Sequence, residues 1–196
     1  MSERKLTRRR RVEPAEDAGK HVIDSKATME ALRSARVPSR FIRPEATLDA
    51  FAWGVKMRKW LAGPLAECAA RGKGAVISGK PEEGATACAM LVRALVLGHA
   101  DAVFYTLGEL LSGTEPRVAR YVVVAGFYDD DFQRSQGKPM DARESFRLSW
   151  ALQRLASDGA AIVAHIHPSL ASARQWWHGA MLDALFDYNE NFRLNQ

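Results

Sequence analysis

The residues best placed to do chemistry are Gly79, Gly84 and Thr86, at the first, sixth and eighth positions of the stretch Gly79-Lys80-Pro81-Glu82-Glu83-Gly84-Ala85-Thr86. Two glycines at that spacing, followed by a hydroxyl, form the pattern of a phosphate-binding loop. In such a loop backbone N–H groups surround a polyphosphate and the hydroxyl reaches its metal ion. The chemistry also needs a lysine at the seventh position, which here is Ala85. Glu82 and Glu83 place carboxylates where bare N–H groups should surround phosphate, and Coulomb repulsion opposes a polyanion there. The stretch therefore carries a nucleotide-binding scaffold whose side chains argue against nucleotide.

Other groups offer weaker chemistry. Asp129-Asp130-Asp131 is a candidate for a divalent cation. Consecutive residues of an extended loop point in different directions, however, so a solvated acidic loop is expected. His165 and His167 share one face if their strand continues, a spacing that suits zinc, but no further ligands stand near them in sequence. Cys68, Cys88, His99 and His178 fall in helical stretches without ligand pairing, so no metal site is expected. Trp176 and Trp177 are adjacent and would point about 100° apart on a helix. One is expected to be buried, and the other is a candidate for a partner contact or a base-stacking platform. Arg143, Arg147 and Arg154 form a basic stripe diluted by Asp141, Glu144 and Asp158, which reads as a solvated mixed-charge face.

The elements that must position these groups follow from periodicity. Ala75, Val76 and Ile77 read as a strand before the loop, and Met90, Leu91, Ala94, Leu95 and Leu97 as one face of the helix after it, closed by Gly98. Upstream, residues 28–36 predict a short helix stopped by Pro38, and residues 55–71 a helix kinked or restarted at Gly63-Pro64. Downstream come a strand at Val103-Phe104-Tyr105, a short helix over 107–111 and a fully apolar strand over 121–125. A helix over 141–156 follows, with Phe146, Trp150, Leu152 and Leu155 toward the core, then a strand over 161–164 and a last helix over 172–186. Strands alternating with helices predict a three-layer parallel α/β sheet, which binds ligands at the carboxyl ends of its strands.

At 196 residues and 47% hydrophobic content the chain suits one α/β domain with a modest extension. No apolar run approaches the ~20 residues that cross a bilayer, and the arginines near the start lead into no apolar signal core, so a cytoplasmic protein is expected. Cys68 and Cys88 are expected to be free, buried thiols. The net charge of +5 permits an acidic partner. Residues 1–27 read as a basic, disordered arm. Its Arg4, Lys5, Arg8, Arg9, Arg10 and Arg11 could touch phosphates or an acidic protein face. Residues 28–54 read as a short helix and connector, and residues 55–196 as the core.

Taken in order, several segments resemble one family. Ala35-Arg36-Val37-Pro38-Ser39-Arg40-Phe41, followed by Ala46-Thr47-Leu48-Asp49-Ala50-Phe51, looks like its opening segment. Residues 74–89 resemble its strand, loop and helix, and Val103-Phe104-Tyr105-Thr106 with Leu110-Leu111 is similar to its second strand and next helix. Asn191-Phe192-Arg193-Leu194 resembles its terminal Ser-Tyr-Arg-Leu strand. The family is that of the bacterial AAA+ helicase loaders and transposition helpers typified by DnaC, DnaI and IstB. The resemblance implies a P-loop NTPase fold of AAA+ type without a separate lid domain. It further implies a replicative helicase or other replication protein as partner, together with single- or double-stranded DNA.

The resemblance also shows which parts are missing. Where the family carries paired acids after the third strand this chain has Ala125 and Gly126, and the polar sensor segment reads Ala164-His165-Ile166. Arg193 matches the family's nucleotide-sensing arginine, while the stretch between Leu111 and Tyr121, implicated in single-stranded DNA contact, is shorter here. The expectation is a catalytically inactive loader-like module of DNA replication, of phage or mobile-element type, with no cofactor and with ATP and Mg disfavoured. Since active members assemble through nucleotide, a monomer is expected, or an oligomer formed through some other surface. Two alternatives stand beside it. One is an atypical ATPase that takes its cation from Lys80 or Lys73 and its acids from Asp129, Asp130 and Asp131; the other is a nucleic-acid-binding protein led by its arginine arm.

Overall fold

The computed structural model describes residues 26–128, 142–167, 186 and 191–194. Residues 1–25 of the expected arm, Asp129-Asp130-Asp131, Trp176, Trp177, His178 and nearly all of the expected last helix lie outside them, while Lys26 and Ala27, expected in the arm, begin a helix. Phe186, placed by periodicity at the end of that helix, instead makes a parallel bridge with Gly74.

Among the described residues five strands form the sheet: β1 (Ala75–Ser78), β2 (Ala102–Thr106), β3 (Tyr121–Tyr128), β4 (Ala161–His167) and β5 (Phe192–Arg193). Their order is β2-β3-β4-β1-β5 and every pairing is parallel, an α/β arrangement consistent with a P-loop-like layout. Because Cβ atoms alternate along a strand, each strand feeds both faces. Ala75, Ile77, Phe104, Val123 and Val163 face one layer of helices, while Val76, Val103, Val122, Val124 and Ile162 face the other. Both faces are buried, which is why residues 121–125 of β3 and 161–164 of β4 read as unbroken apolar runs.

The first layer holds α1 (Lys26–Ser34), α2 (Gly54–Ala62), α3 (Pro64–Ala70) and α4 (Pro81–Leu97). α1 starts and ends two residues earlier than its periodicity suggests, because Arg36 turns the chain with a left-handed φ of 62°. Beyond α4, His99 takes the same kind of conformation at φ 60°, outside the helix rather than in it. α2 and α3 divide at Gly63, with Pro64 at the start of α3, where a missing N–H costs nothing.

The second layer holds α5 (Leu107–Leu111) and α6 (Ala142–Ser157). On α6 the expected core face is corrected. Leu148, Leu152 and Leu155 are buried, but Phe146 and Trp150 are 71% and 57% exposed. The aromatics repeat at the same helical spacing as the leucines, so periodicity alone could not separate the two faces. Arg143, Arg147 and Arg154 are exposed, and Arg154 pairs with Glu115 at 2.8 Å. Among the described residues no helix is long and apolar enough to cross a membrane.

Candidate functional site: a closed strand–helix turn

The strand ends at Ser78 and α4 begins at Pro81, so Gly79 and Lys80 alone connect them. The expected loop is contracted. Proline at the first helical position has no N–H to leave unsatisfied, and Glu82 and Glu83 occupy the first turn, where the helix dipole favours negative charge. These carboxylates stand at the helix N-terminus itself, the place an incoming anion would need. Oε2 of Glu83 is buried and has no hydrogen-bond partner among the described residues.

β4 continues through His167 and presents two imidazoles to this turn. Nε2 of His165 lies 3.0 Å and Nδ1 of His167 2.9 Å from the Gly79 carbonyl oxygen. A carbonyl oxygen only accepts, so each ring donates an N–H, which assigns the Nε2–H tautomer to His165 and makes Nδ1 of His167 a donor. The Gly79 carbonyl thus accepts two hydrogen bonds from within the chain. His165 is fully buried, and that burial pushes its pKa down to about 4. The Gly79 hydrogen bond resists the shift and the neighbouring His167 adds to it. At neutral pH the ring is uncharged.

The glycines of the motif serve packing. A Cβ on Gly84 would come within 1.9 Å of Nε2 of His165, and one on Gly79 within 2.6 Å of Cδ1 of Leu194. Each glycine is needed because another side chain fills the space beside it. Ala85, at the position where a phosphate-binding loop carries its lysine, is half-buried against the core. The Thr86 hydroxyl donates to the Glu82 carbonyl at 3.0 Å, within its own helix. Lys80 is exposed at the helix cap.

The position of the missing acids lies across the sheet. Val124 pairs with Ala164 and Phe127 with Ile166, so Ala125 and Gly126 together stand opposite His165 in a β-bulge, with Gly126 at φ 106°. Ala125 is buried and offers only a methyl group. Arg193 is held beside Ser78 by the β5 pairing, but it is exposed and lines a separate cleft with Lys56 and Lys59. Gly79, Gly84, Ala125 and His165 are therefore brought together, and Arg193 does not join them.

Cys68 and Cys88 are buried thiols outside any disulfide, the Arg71 guanidinium donates to Cys68 Sγ at 3.6 Å, and burial drives the Cys88 thiol far above its ordinary pKa. Among the described residues no group of three or more His, Cys, Asp or Glu side chains converges on a metal position. The histidine pair, read from sequence as a spacing that suits zinc, clamps the backbone instead; the small residue at position 84 was the one sequence signal of a bulky neighbour. Sequence gave no warning of Arg93, which is 5% exposed on α4, with Nε and Nη2 lacking hydrogen-bond partners among the described residues.

No protein-family model matches the chain, and no curated protein matches it.

Proposed function

We propose that the chain is a non-catalytic binding module built on a P-loop-like α/β scaffold, of the helicase-loader kind its sequence resembles. In this reading it engages a replicative helicase or another replication protein without an ATP cycle. One observation carries it: both imidazoles of His165 and His167 cap the Gly79 carbonyl, and the His165 ring fills the space over Gly84. The chain has spent on internal packing the backbone and the glycines that a phosphate cradle would require.

The test is light scattering coupled to size exclusion, with and without Mg·ATP, alongside an ATP hydrolysis assay in the presence of DNA or of a replicative helicase. A constant molar mass, no hydrolysis above the protein-free rate, and co-elution with helicase independent of nucleotide are expected. Assembly that depends on Mg·ATP, or turnover stimulated by either partner, would overturn the proposal. Deleting residues 1–11 separates it from a reading led by the arginine arm, because a core-mediated contact survives the deletion and phosphate binding by the arm does not.

A further inference from the structure

An open cleft of about 390 Å³ lies between α2, the first residue of α3 and β5. Its floor is apolar. Trp60, Pro64 and Phe192 line it, and the two rings pack 5.2 Å apart at 41°. Its rim is cationic: Lys56 and Lys59 stand at i and i+3 on one side of α2, and Arg193 faces them from β5. All three are exposed, and no carboxylate among the described residues pairs with any of them. The neighbouring Arg58, by contrast, is held by Asp49. Asn191 completes the wall, with its Oδ1 buried and unpartnered among the described residues.

Three like charges around one apolar floor repel each other, and an anion relieves that repulsion. An apolar centre inside a charged rim is also the anatomy of a protein–protein contact, in which a side-chain anchor fills the centre. We propose that this cleft binds an acidic peptide segment of a partner protein, one apolar side chain seated on Trp60 and Phe192 and flanking Asp or Glu residues meeting Lys56, Lys59 and Arg193. A nucleobase fits it poorly: Trp60 and Phe192 are 7% and 5% exposed, so with half-buried Pro64 they leave a narrow apolar floor that one small apolar side chain can touch but that offers no open ring face for stacking. An isolated phosphate would leave the floor uncovered. A peptide also brings N–H donors, which phosphate and carboxylate ions lack and which a turn of the Asn191 carboxamide would let Oδ1 accept.

The proposal names the partner chemistry for the binding-module reading and rests on it only in taking the ligand to be protein. Its test is fluorescence anisotropy of a labelled peptide of alternating Asp/Glu and Leu/Phe residues, titrated with the full chain. An acidic peptide without apolar residues, oligo-dT and inorganic phosphate serve as competitors. Lys59→Glu combined with Arg193→Glu reverses the rim without touching the core, and its melting curve checks folding.

Micromolar binding of the alternating peptide is expected, weakened about tenfold or more by removing its apolar residues, by the double reversal, or by raised salt. Binding unchanged by the double reversal would overturn the proposal, as would no binding at all. Oligo-dT binding more tightly than the peptide, and lost in the same variant, would overturn it in favour of nucleic acid. Mg·ATP binding by the same preparation would overturn the binding-module reading and leave the peptide result standing, so the two failures are distinguishable.

Discussion

The imidazole of His165 lies so close to the α-carbon of Gly84 that a Cβ there would sit 1.9 Å from Nε2. Gly84→Ala is therefore expected to destabilise the fold by about 1–3 kcal/mol, the usual cost of overpacking. His165→Ala opens the space, so the two substitutions should not add. A double-mutant cycle by urea denaturation is expected to give a coupling of about 1 kcal/mol or more. Simple additivity would mean that the two residues do not share that space.

Stability should fall on acidification through His165. Its pKa is lowered from 6.5 to about 4 in the fold, so between those values the unfolded chain binds a proton that the native chain does not. Stability is then fully retained above pH 6.5 and lost as pH drops toward 4, by up to roughly 3 kcal/mol. His165→Gln keeps an N–H for the Gly79 carbonyl and removes the titration. Its stability profile is expected to be flatter than wild type across this window, and parallel profiles would contradict the assignment.

Arg93 is a buried cation on α4 whose Nε and Nη2 lack partners among the described residues, and burial lowers its pKa. Burying a charge without compensation is costly, and an apolar chain of similar volume avoids the cost. Arg93→Met is expected to stabilise by about 1–4 kcal/mol, read as a higher midpoint in urea. A lower midpoint would show that the guanidinium has a partner in solution.

The two faces of α6 should differ sharply. Leu152→Ala, at a fully buried position, is expected to cost about 2–5 kcal/mol. Trp150→Ser, at a position 57% exposed, should stay within about 1 kcal/mol. Equal losses would mean that Trp150 is packed after all.

What could be read in the sequence followed the physics of each element. The runs Val122-Val123-Val124 and Ala161-Ile162-Val163-Ala164 identify themselves because a strand buried on both faces must be apolar throughout. Gly63-Pro64 marks a helix boundary because proline tolerates only the first turn. Pro81-Glu82-Glu83 was equally informative as a helix start, proline first and acids in the first turn, but the spacing of Gly79 and Gly84 also fits a loop. Local signals could not arbitrate, because the deciding contact comes from His165, far along the chain. The cleft was hidden for the same reason, since Lys56 and Arg193 meet only once β5 pairs with β1.

The central claim is that this P-loop-like turn is closed to phosphate by the chain's own histidines. Isothermal titration of Mg·ATP into the full chain, and into Ala85→Lys, tests it most directly. Neither protein is expected to give saturable heat or a rise in melting temperature, because Glu82 and Glu83 occupy the first turn of α4 and the His165 ring fills the space over Gly84. Saturable micromolar binding by the wild-type chain, with the stabilisation that any native-state ligand must confer, would contradict it.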